Sequence, residues 1–252
     1  MVQTPKTPTY HTYFVWTSRR VEVSVRVEIV SKMKTSTIFA AATAITTATS
    51  LTIPVKRGTG VSITPHDRYS SSIGVLGCKL DVNRVAYWPG TPSCDGMCIR
   101  VNANGRSVNL LQIDSSGGAY DISYDAWNYL MTGQSALQNP VQGGGLAATY
   151  EKVEMSQCAD IMKAGDGKLG FTAANSMNYI TSCRADSWVG QNHVLYNIAD
   201  TQCTLGIDEV CTLNMAVSNQ PSCPHQLGVQ PPLTSDPVYD IIYGSGKKEL
   251  AQ

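Results

Sequence analysis

The chain has 252 residues, with 19 Lys and Arg against 19 Asp and Glu, 42% hydrophobic residues, 15% charged residues and 21 glycines. This is the composition of a turn-rich globular protein of one or two domains, and it excludes wholesale disorder, a coiled coil and a collagen-like fibre. No run of 18 apolar residues offers a membrane span.

The chain opens with residues 1–32, in which Arg20-Val21-Glu22-Val23-Ser24-Val25-Arg26-Val27-Glu28-Ile29-Val30 alternates like a half-buried strand. Two readings are open for it: a real strand, or an extension upstream of the true start. The residues from Met33 onward favour the second. There, a basic start leads into a short run rich in Ala, Thr and Ile with small residues at Ala48-Thr49-Ser50, the layout of a secretory signal peptide over residues 33–50. Residues 51–57 then read as a propeptide ending in the dibasic pair Lys56-Arg57.

Eight of the 19 bases and two of the 19 acids precede Gly58, which leaves 11 bases against 17 acids and a net charge of −6 beyond it. That sign argues against nucleic acid or an anionic membrane as partner, since both attract basic surfaces. All eight cysteines, Cys78, Cys94, Cys98, Cys158, Cys183, Cys203, Cys211 and Cys223, lie in the same region. An even number in a secreted domain reads as four disulfides, with the pairing left open among 105 possibilities. No CxxC pair occurs and His66, His193 and His225 are far apart in sequence, so no metal and no other cofactor is expected.

Within residues 58–226, Ile99-Arg100-Val101-Asn102 and Ser107-Val108-Asn109-Leu110-Leu111-Gln112-Ile113-Asp114 flank an Asn104-Gly105 turn, the strongest short-range signal for a hairpin. After a glycine turn, Ser123 is placed to cap a short helix that buries Ala126, Trp127 and Leu130. A strand is expected over residues 146–153, a second helix over 172–180, and further strands over 193–198 and 210–217. Residues 227–252, with Pro231, Pro232 and Pro237, read as a flexible tail.

The hairpin, the strand end Gln112-Ile113-Asp114 and the helix start Asp121-Ile122-Ser123-Tyr124-Asp125-Ala126-Trp127 resemble the centre of the double-psi β-barrels, the superfamily of expansins, barwin-like proteins, family 45 endoglucanases and rare lipoprotein A-like domains. Ile122 and Trp127 stand where that pattern has Leu and Phe. The resemblance spans residues 78–153 and implies a mainly β fold: a six-stranded double-psi β-barrel with short helices and a disulfide-stapled C-terminal elaboration. It also implies a secreted, fungal-type protein of the cell wall.

The resemblance places Asp121 at the acid of the endoglucanases and Asp114 at an aspartate kept by expansins. From the residues alone, Asp121 reads equally as a helix-capping carboxylate and Asp114 as a turn residue. Inverting hydrolysis needs a second carboxylate as base, and the resemblance sets the base just after a Tyr-Trp; here Tyr87-Trp88 is followed by Pro89, which takes no proton. Tyr87, Trp88, Tyr120 and Tyr124 are candidates for a sugar-stacking platform. The leading expectation is therefore an expansin-like protein that binds or loosens wall polysaccharide (cellulose, β-glucan or chitin) without efficient hydrolysis. The alternative is an apoplastic effector using the barrel to bind a host extracellular protein, such as a protease it inhibits. A third reading is a weak glycoside-cleaving enzyme, by hydrolysis or lytic transglycosylation.

Overall fold

The computed structural model describes the backbone of residues 13–17 and 20–24 and all of residues 58–252. Two compact units divide the chain, Met1–Ile53 and Pro54–Gln252. In the first, β1 (Tyr13–Thr17) pairs antiparallel with β2 (Arg20–Ser24). The signal peptide and propeptide expected at 33–57 lie outside the described residues.

The second unit is built on a closed barrel of six strands: β3 (Thr59–His66), β4 (Val85–Pro89), β5 (Cys98–Ala103), β6 (Arg106–Ser116), β7 (Tyr120–Ser123) and β8 (Leu146–Lys152). Their order around the barrel is β3-β7-β4-β6-β5-β8, with β3/β7 and β4/β6 parallel and the other pairs antiparallel. The β5–β6 turn is the expected one: Asn104 (φ 49°) and Gly105 (φ 73°) both take the left-handed conformation that a two-residue hairpin demands. The helix α1 (Tyr124–Thr132) buries Ala126, Trp127 and Leu130, and stops where Gly133 (φ 82°) returns its N–H to the Tyr129 carbonyl.

Successive strand residues point to opposite faces, and in the middle of the barrel wall both faces are covered. Ala86, Trp88, Val108, Leu110 and Ile122 join the barrel interior with Ile63, Ile99 and Trp127. Their neighbours Val85, Tyr87, Leu111 and Ile113 join a second core outside the barrel. That outer core is completed by the elaboration: β9 (Leu169–Thr172), β10 (His193–Ile198) and β11 (Gly206–Cys211) form a three-stranded sheet ordered β11-β10-β9, accompanied by the short helices α2 (Met177–Ser182) and α3 (Trp188–Gln191). Phe171, Tyr179, Leu195 and Ile198 are its buried contribution.

The four disulfides are Cys78–Cys203, Cys94–Cys183, Cys98–Cys158 and Cys211–Cys223. The first three are nested and staple the elaboration onto the barrel and its entry segment. In the chain-entropy account, closing 125 residues between Cys78 and Cys203 stabilises by about 5 kcal/mol.

Three expectations are corrected. The helix expected over 172–180 starts only at Met177, because Thr172 belongs to β9 and the Ala173 N–H is taken by the Tyr196 carbonyl. The strand expected over 210–217 ends at Cys211, where the disulfide to Cys223 turns residues 212–222 into a closed loop exposing Met215 and Val217. Residues 227–252 are not a loose tail. The Pro231 carbonyl accepts from Gly206 and the Leu233 N–H donates to Thr204. Beyond them, β12 (Tyr239–Ile241) pairs with β13 (Lys248–Leu250), burying Val238 and Ala251 in the outer core and Ile241 in the barrel core.

Because Leu110 and Leu111 are adjacent yet both fully buried in different cores, Leu110→Ala and Leu111→Ala should each cost about 2–5 kcal/mol in denaturant unfolding with the disulfides intact. A surface strand would lose stability at only one of the two.

Candidate functional site

Four residues stand in register across four adjacent barrel strands. Thr64 on β3 faces Asp121 on β7, Asp121 faces Tyr87 on β4, and Tyr87 faces Asp114 on β6. Directly paired residues share a face, so the two aspartates flank Tyr87 on the outer wall, with two interstrand spacings, roughly 10 Å, between their backbones. The Thr64 hydroxyl donates to Asp121. The Ser70 hydroxyl donates to Asp114 at 2.6 Å and the Ser115 N–H at 2.7 Å. Both carboxylates are half-buried. Asp121 is thus a strand residue bonded across the sheet rather than a helix cap; Ser123 precedes α1 but makes no side-chain capping bond.

Tyr87 between them is 5% exposed. Its hydroxyl donates to the Arg68 carbonyl at 3.2 Å and its ring lies 4.4 Å from that of His66. Burial, above all, pushes its phenol well above the ordinary tyrosine range, with Asp240 and Asp114 adding to the effect. A buried, neutral ring therefore stands at the strand position between the two carboxylates.

The other aromatic candidates face elsewhere. Trp88 points into the barrel at the end where β4 and β6 finish and is only 3% exposed. Tyr120 and Tyr150 pack edge-on against it at centroid distances of 5.2 and 4.5 Å, and both are half-buried. Tyr124, 2% exposed, sits at the start of α1; its hydroxyl donates to Val141 and accepts from Gly244. Of the four rings expected on a platform, only Tyr120 reaches solvent to any extent, and it is joined by Tyr150, which the sequence reading missed. The signal was in β8: Ala148 and Tyr150 alternate inward with Ala147 and Thr149 outward. Pro89, exposed at the end of β4, is on the same rim. Among the described residues no group of three or more His, Cys, Asp or Glu could hold a metal ion.

Asp240 anchors the C-terminal segment beside this wall. It is 4% exposed, accepts from the Tyr69 N–H at 2.9 Å and pairs with Arg68 at 3.5 Å. Burial raises its carboxyl above the ordinary range despite the lowering effect of those two partners.

The cerato-platanin family model matches residues 64–161. Among solved structures, cerato-platanin 3 from M. perniciosa aligns at 14% identity over 40% of this chain and 98% of its own, with a TM-score of 0.27. The solution structure of the fungal elicitor cerato-platanin aligns at 20% identity over 39% of this chain and 96% of its own, with a TM-score of 0.26. Comparison with curated proteins finds no match. The chain carries a double-psi β-barrel, its cerato-platanin-like segment followed by the disulfide-stapled elaboration.

A carboxyl whose folded pKa lies above its unfolded value, about 3.9 for Asp, contributes stability that is fully present below that value and lost as pH rises through the folded pKa. Asp240→Asn keeps an acceptor for Tyr69 but cannot ionise, so its melting temperature relative to wild type should climb between pH 3 and pH 7. A difference that stays flat or falls over that range would contradict the assignment.

Proposed function

We propose that this double-psi β-barrel protein is secreted and binds cell-wall polysaccharide in an expansin-like way, without efficient hydrolysis. The observation that carries the non-hydrolytic part is the Tyr87 ring between Asp114 and Asp121. Inverting hydrolysis needs room for the scissile bond and a water between two carboxyl groups. Here each carboxylate instead accepts hydroxyl groups of its own chain, and Pro89 stands where the resemblance would put a base.

Binding rests on Tyr120 and Tyr150, the half-exposed rings at the barrel rim, backed by Trp88. Flat rings take the CH faces of a pyranose, and Asp121 and Asp114 on the adjoining outer wall offer acceptors for its hydroxyls. Four disulfides fit an oxidising compartment, consistent with export by residues 33–50 and a cut after Arg57. Which glycan is bound is decided by retention on cellulose, chitin and β-glucan. Tyr120→Ala and Tyr150→Ala should each weaken retention roughly two- to tenfold, the range of an aromatic contact, and no retention of wild type on any of the three would sink this reading. Reducing ends released by wild type and lost in Asp121→Asn would establish an enzyme in its place.

A specific feature favours the second reading, a protein-binding scaffold. The disulfide-closed loop between Cys211 and Cys223 carries no charged residue and exposes Met215 (51%) and Val217 (82%). Solvent-facing apolar side chains on a loop pinned at both ends suit a protein pocket better than a sugar. Met215→Asp with Val217→Asp would abolish such an interaction and leave glycan retention unchanged. For export, mass spectrometry of culture fluid should find Gly58 as the first residue and no peptide from residues 1–50.

A further inference from the structure

The C-terminal hairpin of β12 and β13 forms no ladder with the barrel. Its strands pair only with each other. Among the described residues every backbone-to-backbone hydrogen bond of residues 238–251 is internal to that segment. No cysteine follows Cys223. What holds it on the barrel is side chains: the Tyr69 N–H donates to Asp240, the Tyr243 N–H to Asp67 at 2.9 Å, the Gly244 N–H to the Tyr124 hydroxyl at 3.1 Å, and the Tyr243 hydroxyl to the Gly143 carbonyl at 2.7 Å. Val238, Ile241 and Ala251 add buried contacts.

Beneath it lies a chamber of about 20 Å³, lined on the barrel side by His66, Tyr87, Ser123 and Tyr124 and on the hairpin side by Tyr239 and Ile241. Ser123 is 5% exposed and its hydroxyl has no hydrogen-bond partner. An orphaned buried hydroxyl costs about 1–3 kcal/mol, and a chamber of this size gives it room for one partner oxygen, of a water or of a ligand hydroxyl. His66 pairs with Ser123 two residues beyond the Thr64–Asp121 pair on the same two strands. With a side-chain period of two, the chamber wall continues the outer face that holds Asp121.

We propose that the hairpin is a detachable cover, and that the wall beneath it is a glycan-binding groove running from Asp121 past His66 and Ser123 to Tyr124. This rests on the polysaccharide reading above and extends it to a surface that the hairpin overlies. Rings of His66, Tyr87 and Tyr124 supply stacking faces, while the Ser123 hydroxyl and the Asp121 carboxylate supply partners for sugar hydroxyls. A cut in the proline-rich segment 224–237 frees the hairpin without breaking any disulfide.

The test inserts a recognition sequence for a site-specific viral protease between Thr234 and Ser235 of the full chain. Amide exchange at residues 64–69 and 120–124, and affinity for chitohexaose, cellohexaose and laminarihexaose, are measured before and after cutting. Exchange should rise in both segments and affinity for at least one hexaose should increase about tenfold or more as the open fraction grows. Should the cut protein lose its near-ultraviolet circular dichroism, uncut Ile241→Val and Tyr243→Phe, which loosen the hairpin mildly, must show the same two changes in smaller measure. Exchange that stays unchanged in cut protein and variants alike, or that rises with no gain in affinity for any hexaose, overturns the proposal. In the second case, wild-type retention that still depends on Tyr120 and Tyr150 leaves the rim platform standing, so the two readings fail separately.

Discussion

The structure depends on a barrel wall that is buried on both sides. In β4 and β6 alternate side chains serve different cores, Ala86, Trp88 and Leu110 inward, Val85, Tyr87, Leu111 and Ile113 outward. A strand in that situation has no polar face to spend. Gln112, buried in the run, donates its side-chain amide to the Gly90 carbonyl where the wall ends. Such continuous apolar runs mark strands covered on both faces. The elaboration is therefore no appendage: stripped of it, the barrel would expose a contiguous apolar patch around Val85, Leu111 and Ile113, of a size that soluble monomers seldom tolerate.

The same alternation divides the candidate site. Tyr87 and Trp88 are neighbours in sequence, as are Tyr120 and Asp121, yet each pair is split between the two faces of the wall. Carboxylates stand outside and the rim rings inside, separated by a single layer of backbone. A polymer that touched both would have to cross the rim, where Pro89 and the glycine turn after Ser116 leave the edge low.

What the sequence made legible was local. Asn104-Gly105 announced its hairpin, the spacing of Ala126, Trp127 and Leu130 announced α1, and the strand expected over 193–198 is β10. Failures came wherever a distant partner decided. Ala173, Met177 and Ile180 have helical spacing, but Thr172 belongs to β9 and the Ala173 N–H is taken by the Tyr196 carbonyl of β10. Cys211, Leu213, Met215 and Val217 alternate well, but Cys223 bends the chain away. The prolines suggested a flexible tail over 227–252 and said nothing of Val238, Ile241 and Ala251, whose burial depends on a surface formed by residues more than a hundred positions earlier. For the site, the two aspartates were visible as letters; that a tyrosine separates them is a matter of strand register, which no local pattern encodes.

The nesting of three disulfides sets an order on biogenesis. Synthesis from the N-terminus presents Cys78, Cys94 and Cys98 before any of their partners exists, and those partners arrive as Cys158, Cys183 and Cys203. The cysteine that enters last of the first three is the first to find its mate, and the one that enters first waits longest. During that interval Cys94 and Cys98, four residues apart, are each other's nearest thiols in sequence. A chain truncated before Cys203 leaves the outermost staple unclosed.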